Sequence, residues 1–341
     1  MQTFSNGTGV PLSVAVFLAT DYYDYVPDVV SATALMRPIR QQVLPARIPK
    51  DSPERVIEIM GVVKSRIGTS IHDSVEKTWT QGHYKKAMLG LGYPQKTIDR
   101  VVVNTGYTTD PTTGSPVKVE NSPPLDAKAI PVYMEIRSFK SIGGKTISGK
   151  FDFVAEGRLE DFKSTSTFTW VNDTKSEDYI LQGSIYRWLN QDIITQDHMA
   201  IQFLFTDWMK YRTSDANYPS HPVMQMTYPL MSLADTEQYI LSKLEIFDRY
   251  KDSNEQDIPQ CTDKELWRKE PQFKYYKNPN KTSRSTKNFD TSAEAYLRLA
   301  TDGNVGIVKE VPGEVVACRF CPAFSVCTQK DNYLMDGTLK L

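Results

Sequence analysis

Several features are missing from the sequence, and each absence removes a class of function. No apolar run in the 341 residues reaches the roughly 18 that a membrane-spanning helix needs. The longest, around Val14–Ala19, has neither a basic leader nor a small-residue cleavage site. No signal peptide is therefore expected, and the expected location is the cytoplasm. No G-x-x-x-x-G-K-[S/T] loop occurs, so a fused helicase motor is not expected and any ATP-driven unwinding would come from a separate chain. Neither sign of charge is in excess: 40 Lys and Arg stand against 41 Asp and Glu, a net charge of −1. There is thus no global basic footprint, and a nucleic-acid contact would have to come from a local patch. Histidine and cysteine are scarce, four of each, which makes their positions informative. Hydrophobic residues at 40% and charged residues at 24% describe an ordinary globular chain with material for one large core or two modest ones.

The pattern along the chain alternates helical and strand periods. Val56, Ile59, Val63, Ile67, Ile71 and Val75 predict a helix over 53–92, started by Ser52-Pro53. Residues 105–131, rich in Thr, Pro, Gly and Ser, predict a long loop. Strands are expected at 132–138, 147–155, 158–164, 200–206 and 223–229, with helices near 177–190 and 232–250. This is an α/β core with a central hairpin. The expected division is an amino-terminal helical segment over 1–52, a core over 53–256 and a cysteine-bearing region over 257–341 packed on that core.

The hairpin is the most informative segment. From Gly149 to Lys163 side chains alternate as in a strand, and Glu156-Gly157 suits a two-residue turn because glycine accepts positive φ. In that register Asp152 lies opposite Asp161, with Cβ atoms ~5 Å apart. Asp161 and Lys163, two apart, share a face, while Phe151, Phe153 and Phe162 take the other. Two carboxylates that close repel unless a cation joins them or one takes a proton. Mg²⁺ prefers oxygen ligands, so the pattern offers a divalent-metal site beside an ammonium. A surface hairpin with an Asp161–Lys163 ion pair is the plainer alternative.

The spacing G-x-x-Asp152, then Asp161-x-Lys163, resembles the PD-(D/E)xK nuclease superfamily, in particular RecB-type nucleases. Three further places are similar: His72 in Gly68-Thr-Ser-Ile-His72, the Q-x-x-x-Y pattern of Gln182 and Tyr186, and the carboxy-terminal cysteines. The resemblance implies a restriction-endonuclease-like mixed sheet flanked by helices and a cysteine-stapled carboxy-terminal segment. It implies Mg²⁺ or Mn²⁺ on His72, Asp152 and Asp161, with Lys163, Gln182 and Tyr186 completing a catalytic set for DNA hydrolysis. Exonuclease action in recombination, repair or degradation of DNA is the activity expected, bacteriophages being one setting and a recombination protein one partner. The sequence also admits a nucleic-acid-binding module without catalysis, and a metal-stabilised interaction protein in which the hairpin acids are coincidental. Glu135, before the hairpin, is a candidate additional carboxylate, and Glu76 shares a helix face with His72.

Cys318, Cys321 and Cys327 read C-x₂-C-x₅-C, a spacing that brings thiolates onto one metal or cluster, with Cys261 as candidate fourth ligand. The resemblance points to a [4Fe–4S] cluster, with Zn²⁺ as the alternative. This chain departs from those relatives in having no cysteine near Met36–Arg47, where they carry their first. Residues 273–287 hold five basic side chains (Lys274, Lys277, Lys281, Arg284 and Lys287) among three aromatics and no acid. They form the expected DNA-binding segment, with Tyr275 and Tyr276 expected to stack on bases. Arg37, Arg40 and Arg47 form a second candidate patch.

Overall fold

The structure, a computed structural model, describes residues 3–20, 26–110, 116–120 and 122–341. The chain forms two compact units, one of residues 1–36 and 56–245 and the other of residues 37–55 and 246–341. Among the described residues no helix is long and apolar enough to cross a membrane. The apolar run near the amino terminus is the short helix Leu12–Ala19, in which only Leu18 is buried.

The first unit is organised by a meander with two tight turns. β1 (Ile130–Met134) continues as β2 (Arg137–Ile142), turns at Gly143-Gly144, and returns as β3 (Lys145–Lys150) and β4 (Phe153–Ala155). A second turn at Glu156-Gly157 leads into β5 (Arg158–Thr165). Both turns have positive φ at both central positions (+56° and +72°, then +49° and +81°). That geometry matches the right-handed twist of the strands it joins. Gly157 is obligatory there, because a Cβ would stand 2.1 Å from Thr195 Oγ1.

One register runs through the first hairpin, from Ile142↔Lys145 to Arg137↔Lys150 and again from Met134↔Phe153 to Val132↔Ala155. Between these stretches Glu135 faces Asp152, and the ribbon is held by Glu135 N–H to Asp152 O (3.1 Å) and Phe151 N–H to Ile136 O (3.3 Å). Here the ribbon changes sheets. β2 and β3 form a three-stranded sheet with Val29–Ser31, while β1, β4 and β5 enter the central sheet. The expected strands 132–138 and 147–155 are thus each broken in two at the position that carries the acids.

The central sheet also contains Val101–Val103 at one edge and, beyond β5, β6 (His198–Phe205) and β7 (Val223–Pro229). β5 and β6 are parallel, their crossover made by α2 (Ser176–Leu189), as parallel neighbours require. The sheet is mixed and helices flank it, as expected. On one face Val154, Leu159, Ile201 and Phe203 pack with Tyr179, Ile185 and Tyr186 of α2. On the other, Phe153 and Phe162 pack with Trp79 of α1 (Val63–Thr80) and with Tyr84. Phe153 and Phe162 therefore lie on the predicted side. Phe151 does not: the break at Asp152 turns it into the α2-side core, where it is fully buried.

Two further expectations are corrected. The helix over 53–92 begins only at Val63; residues 53–55 and 59–62 are 3₁₀ turns, and Ile57–Glu58 pairs with Phe4–Ser5. Gly82, at φ +78°, separates its end from the helix Tyr84–Gly90. The loop over 105–131 contains a short ladder between Tyr107–Thr109 and Pro116–Lys118; its residues 111–115 and 121 lie outside the described set.

In the second unit β8 (Gln272–Tyr276) lies between β9 (Lys287–Phe289) and β10 (Ile307–Val311). The cysteines stand on 3₁₀ turns and loops near the carboxy terminus, amid two small apolar clusters.

Candidate metal centre

His72, Glu135 and Asp152 converge, each offering a ligand atom within 4.8 Å of the others. α1 brings His72 over β5, where its ring packs edge-on against Phe162. Its Nε2 lies 3.0 Å from Phe162 O, and the backbone N–H of Phe162 donates to Asp152 Oδ2 at 3.0 Å. Nδ1 faces the acids, 3.3 Å from Asp152 Oδ2 and 3.9 Å from Glu135 Oε1. A metal-ligating histidine typically gives its second N–H to a carbonyl, fixing the tautomer and aiming the other nitrogen at the ion. The Phe162 carbonyl is placed for that role. Glu135 is buried and held at φ +52°, an unusual conformation for a side chain of its size. Such backbone strain recurs where a residue must point at a functional site.

The charges on this set are mutually dependent. Burial alone lowers the His72 pKa, but hydrogen bonding and charge from Asp152 and Glu135 outweigh it and raise it to about 10. Burial acts to raise the Asp152 pKa, but His72 and Lys163 hold it below its ordinary value. Burial raises Asp161 to about 6, with Lys163 pulling it down and Asp152 pushing it up. Among the described residues Asp161 lies outside the group of three, yet it feels Asp152 directly.

Asp161 and Lys163 share the α2-side face, as their spacing predicts. Lys163 Nζ is 2.6 Å from Asp161 Oδ2. That contact is a close, buried ion pair in which the ammonium lowers the Asp161 pKa and the carboxylate raises that of Lys163. Burial works against the ammonium, but Asp161 and Asp152 more than compensate and raise its pKa. Nζ also lies 5.7 Å from the centre of the Tyr179 ring.

Gln182 Nε2 donates to Tyr186 Oη at 2.8 Å, joining the two residues of the Q-x-x-x-Y pattern. Tyr186 is buried rather than at a polar helix edge, and burial together with Asp152 and Asp161 pushes its phenol far above the usual range. The glycine of G-x-x-D explains its seat: a Cβ on Gly149 would stand 2.9 Å from Tyr186 Cδ1 and 2.8 Å from Leu189 Cδ1.

Neither a family model nor a curated protein matches this chain. Two solved structures bear a weak likeness. The protein named SSO0001 aligns with a TM-score of 0.40 at 10% identity, over 69% of this chain and 87% of that one. A phage-related exonuclease from Haemophilus somnus 129PT aligns with a TM-score of 0.24 at 15% identity, over 34% of this chain and 59% of that one, so this chain spans less than two thirds of its length.

Of the residues that line this site, the sequence offers Glu135 as a candidate carboxylate and does not single out Lys150. Glu135 has a legible signal, since a Gly143-Gly144 turn sets it opposite Asp152. Lys150, whose Nζ is 2.6 Å from Glu135 Oε2, follows from the same register. Glu76 lies near enough to Glu135 for its pKa to be raised, by burial first and by that carboxylate second.

The four cysteines are free thiols within electrostatic reach of one another. Burial first, then neighbouring acid and thiols, raise Cys261 to about 12; burial and the other thiols raise Cys318 to about 11. Such thiols are neutral at pH 7 unless a metal displaces their protons. Among the described residues no three of their sulfurs form a group within 4.8 Å.

The expected DNA-binding segment is partly ordered sheet. Lys277, Lys281, Arg284 and Lys287 are exposed and Lys274 is half-buried on β8. Tyr275 and Tyr276, expected to stack on bases, are instead buried, and Tyr275 Oη donates to Asp302 at 2.8 Å. The segment pairs as strands, Phe273↔Phe289 and Tyr275↔Lys287, so the two adjacent tyrosines point to opposite faces of the sheet and both are covered. Arg40 also leaves the proposed basic patch: it is 3% exposed.

Proposed function

We propose that the first unit is a metal-dependent deoxyribonuclease that hydrolyses phosphodiester bonds, acting as an exonuclease in recombination, repair or degradation of DNA. The observation that carries this reading is the convergence of His72, Glu135 and Asp152 beside the buried Asp161–Lys163 pair. Three donors of this type, with the Phe162 carbonyl behind the imidazole, suit Mg²⁺ or Mn²⁺. Asp161, buried close enough to Asp152 to feel its charge, is the fourth candidate ligand. The ion, when bound, polarises the phosphodiester and acidifies an attacking water.

The protein's own groups supply the rest. Lys163, kept charged by Asp161 and Asp152, stabilises negative charge building on the phosphate and orients the water. Lys150, at the rim beside Glu135, is placed to meet a phosphate oxygen. Gln182 and Tyr186 wall the site from the α2 side; Tyr186 Oη accepts from Gln182, and its raised pKa keeps its O–H as a hydrogen-bond donor. Lys277, Lys281, Arg284 and Lys287 are the proposed phosphate-binding side chains outside the site.

In the second unit the four cysteines hold a [4Fe–4S] cluster. Four thiols in one unit, within electrostatic reach of one another, are a donor set that suits such a cluster, with zinc the alternative.

End-labelled single- and double-stranded DNA incubated with each divalent metal tests the nuclease reading. Wild type should cut and Asp161→Ala should not, with its fold intact by circular dichroism. Equal cleavage by both would refute it, and binding without cleavage by wild type would favour a non-catalytic module.

A further inference from the structure

One buried cation in the second unit takes no part in the proposed chemistry. Arg40, on the short helix Ile39–Val43, is 3% exposed. A guanidinium so buried needs its donors answered. Nη1 donates to Ile258 O at 2.8 Å and to Glu255 O at 3.5 Å, and Nη2 pairs with the Glu255 carboxylate. Nε points at a sulfur, Cys327 Sγ, at 3.3 Å. A neutral thiol is a weak acceptor, whereas a metal-bound thiolate carries the negative charge that suits a guanidinium N–H. The clasp extends further, for Glu255 accepts from the backbone N–H of Thr328 (3.2 Å) and from its hydroxyl (2.6 Å), the residue after Cys327. Val43, Leu44, Ile258 and Ala323 close around Cys327 in one apolar cluster.

We propose that Arg40 is a positioning residue for the cofactor held by the four cysteines, donating an N–H···S hydrogen bond to the Cys327 thiolate and offsetting charge that thiolates bring into an apolar site. This rests on the cofactor reading above. It also gives residues 37–55 a role in that unit: the segment contributes no sulfur but secures one. Outer partners of metal ligands typically alter affinity by ~10–100-fold, and hydrogen bonds to cluster sulfurs help set the reduction potential. Removing this one destabilises the more negatively charged reduced state, so the midpoint moves to a more negative value.

The test uses the full chain purified anaerobically as wild type, Arg40→Gln and Arg40→Lys, with iron, sulfide and zinc counted in each. Release of the bound metal to excess chelator should be about 10–100-fold faster in Arg40→Gln. Arg40→Lys, which keeps the charge but not the Nε donor, should fall between. For an iron–sulfur form the midpoint should also become more negative in Arg40→Gln. If Arg40→Gln does not fold, Arg40→Lys carries the comparison on the same readouts. Variants that merely melt lower, with release rate and midpoint per folded molecule equal to wild type, would overturn the proposal. Wild type with neither iron nor zinc would overturn the cofactor reading beneath it, a separate outcome visible before any variant is compared.

Discussion

Binding of a divalent ion at His72 should expel one proton, and the affinity should carry the signature of that exchange. In the metal-free protein His72 Nδ1 faces Asp152 and Glu135, which outweigh burial and raise its pKa to about 10. The ion needs the lone pair that this proton occupies. Since pH 7 lies about three units below that value, protonation weakens apparent binding by ~10³-fold, or ~4 kcal/mol at ~1.36 kcal/mol per unit. Apparent affinity should rise about tenfold per pH unit from 7 to 9 and level off near 10. Asp161, at about 6, has already lost its proton over that range and does not blur the count. The sign for stability is opposite. A raised folded-state pKa stabilises the metal-free protein fully below the unfolded value of about 6.5. That contribution is lost as pH rises through about 10, so the melting temperature without metal should fall across this window while stabilisation by metal grows. Calorimetric titration of Mn²⁺ at pH 8, in two buffers of different ionisation enthalpy, counts the proton directly. A count near one supports the site, and His72→Ala should abolish it. A count of zero with pH-independent affinity would refute the reasoning.

Three further outcomes follow from the geometry. Gly149→Ala forces a methyl group against Tyr186 and Leu189, and should cost about 1–3 kcal/mol in denaturant unfolding while lowering cleavage; an unaffected midpoint would contradict the close approach. Glu156→Gly removes a left-handed non-glycine from a tight turn and should stabilise by roughly 0.5–1 kcal/mol in the same assay, whereas destabilisation would argue against this turn. Replacing Lys277, Lys281, Arg284 and Lys287 together by serine should weaken DNA binding and flatten the dependence of log K on log salt by up to about 0.9 for each phosphate that is no longer neutralised; an unchanged slope would remove these residues from the DNA path.

The hairpin was legible because its turn was. Glu156-Gly157 specifies a two-residue loop, and the observed pairs Ala155↔Arg158, Val154↔Leu159 and Phe153↔Glu160 follow from it. Asp161 and Lys163 share a face for the same reason. Local patterning did not reveal the break at Glu135 and Asp152, where a continuous register crosses from one sheet to another and turns Phe151 into the other core. Nor could it show that Tyr275 and Tyr276 are both covered, because neighbours on a strand point to opposite faces and only packing from elsewhere in the chain covers both. Arg40 looked like surface charge; only the return of residues 255–258 and 327 to its side makes it a buried donor. The early start of the predicted helix at 53 has a similar origin, since Ile57 and Glu58 pair with residues some fifty positions away, beyond any local window.

Diffraction from crystals soaked in Mn²⁺, recorded at the manganese absorption edge, shows most directly where the cation sits. An anomalous peak in contact with His72 Nδ1, Glu135 and Asp152 is the predicted result. A peak elsewhere, or no peak there at saturating Mn²⁺, would contradict it.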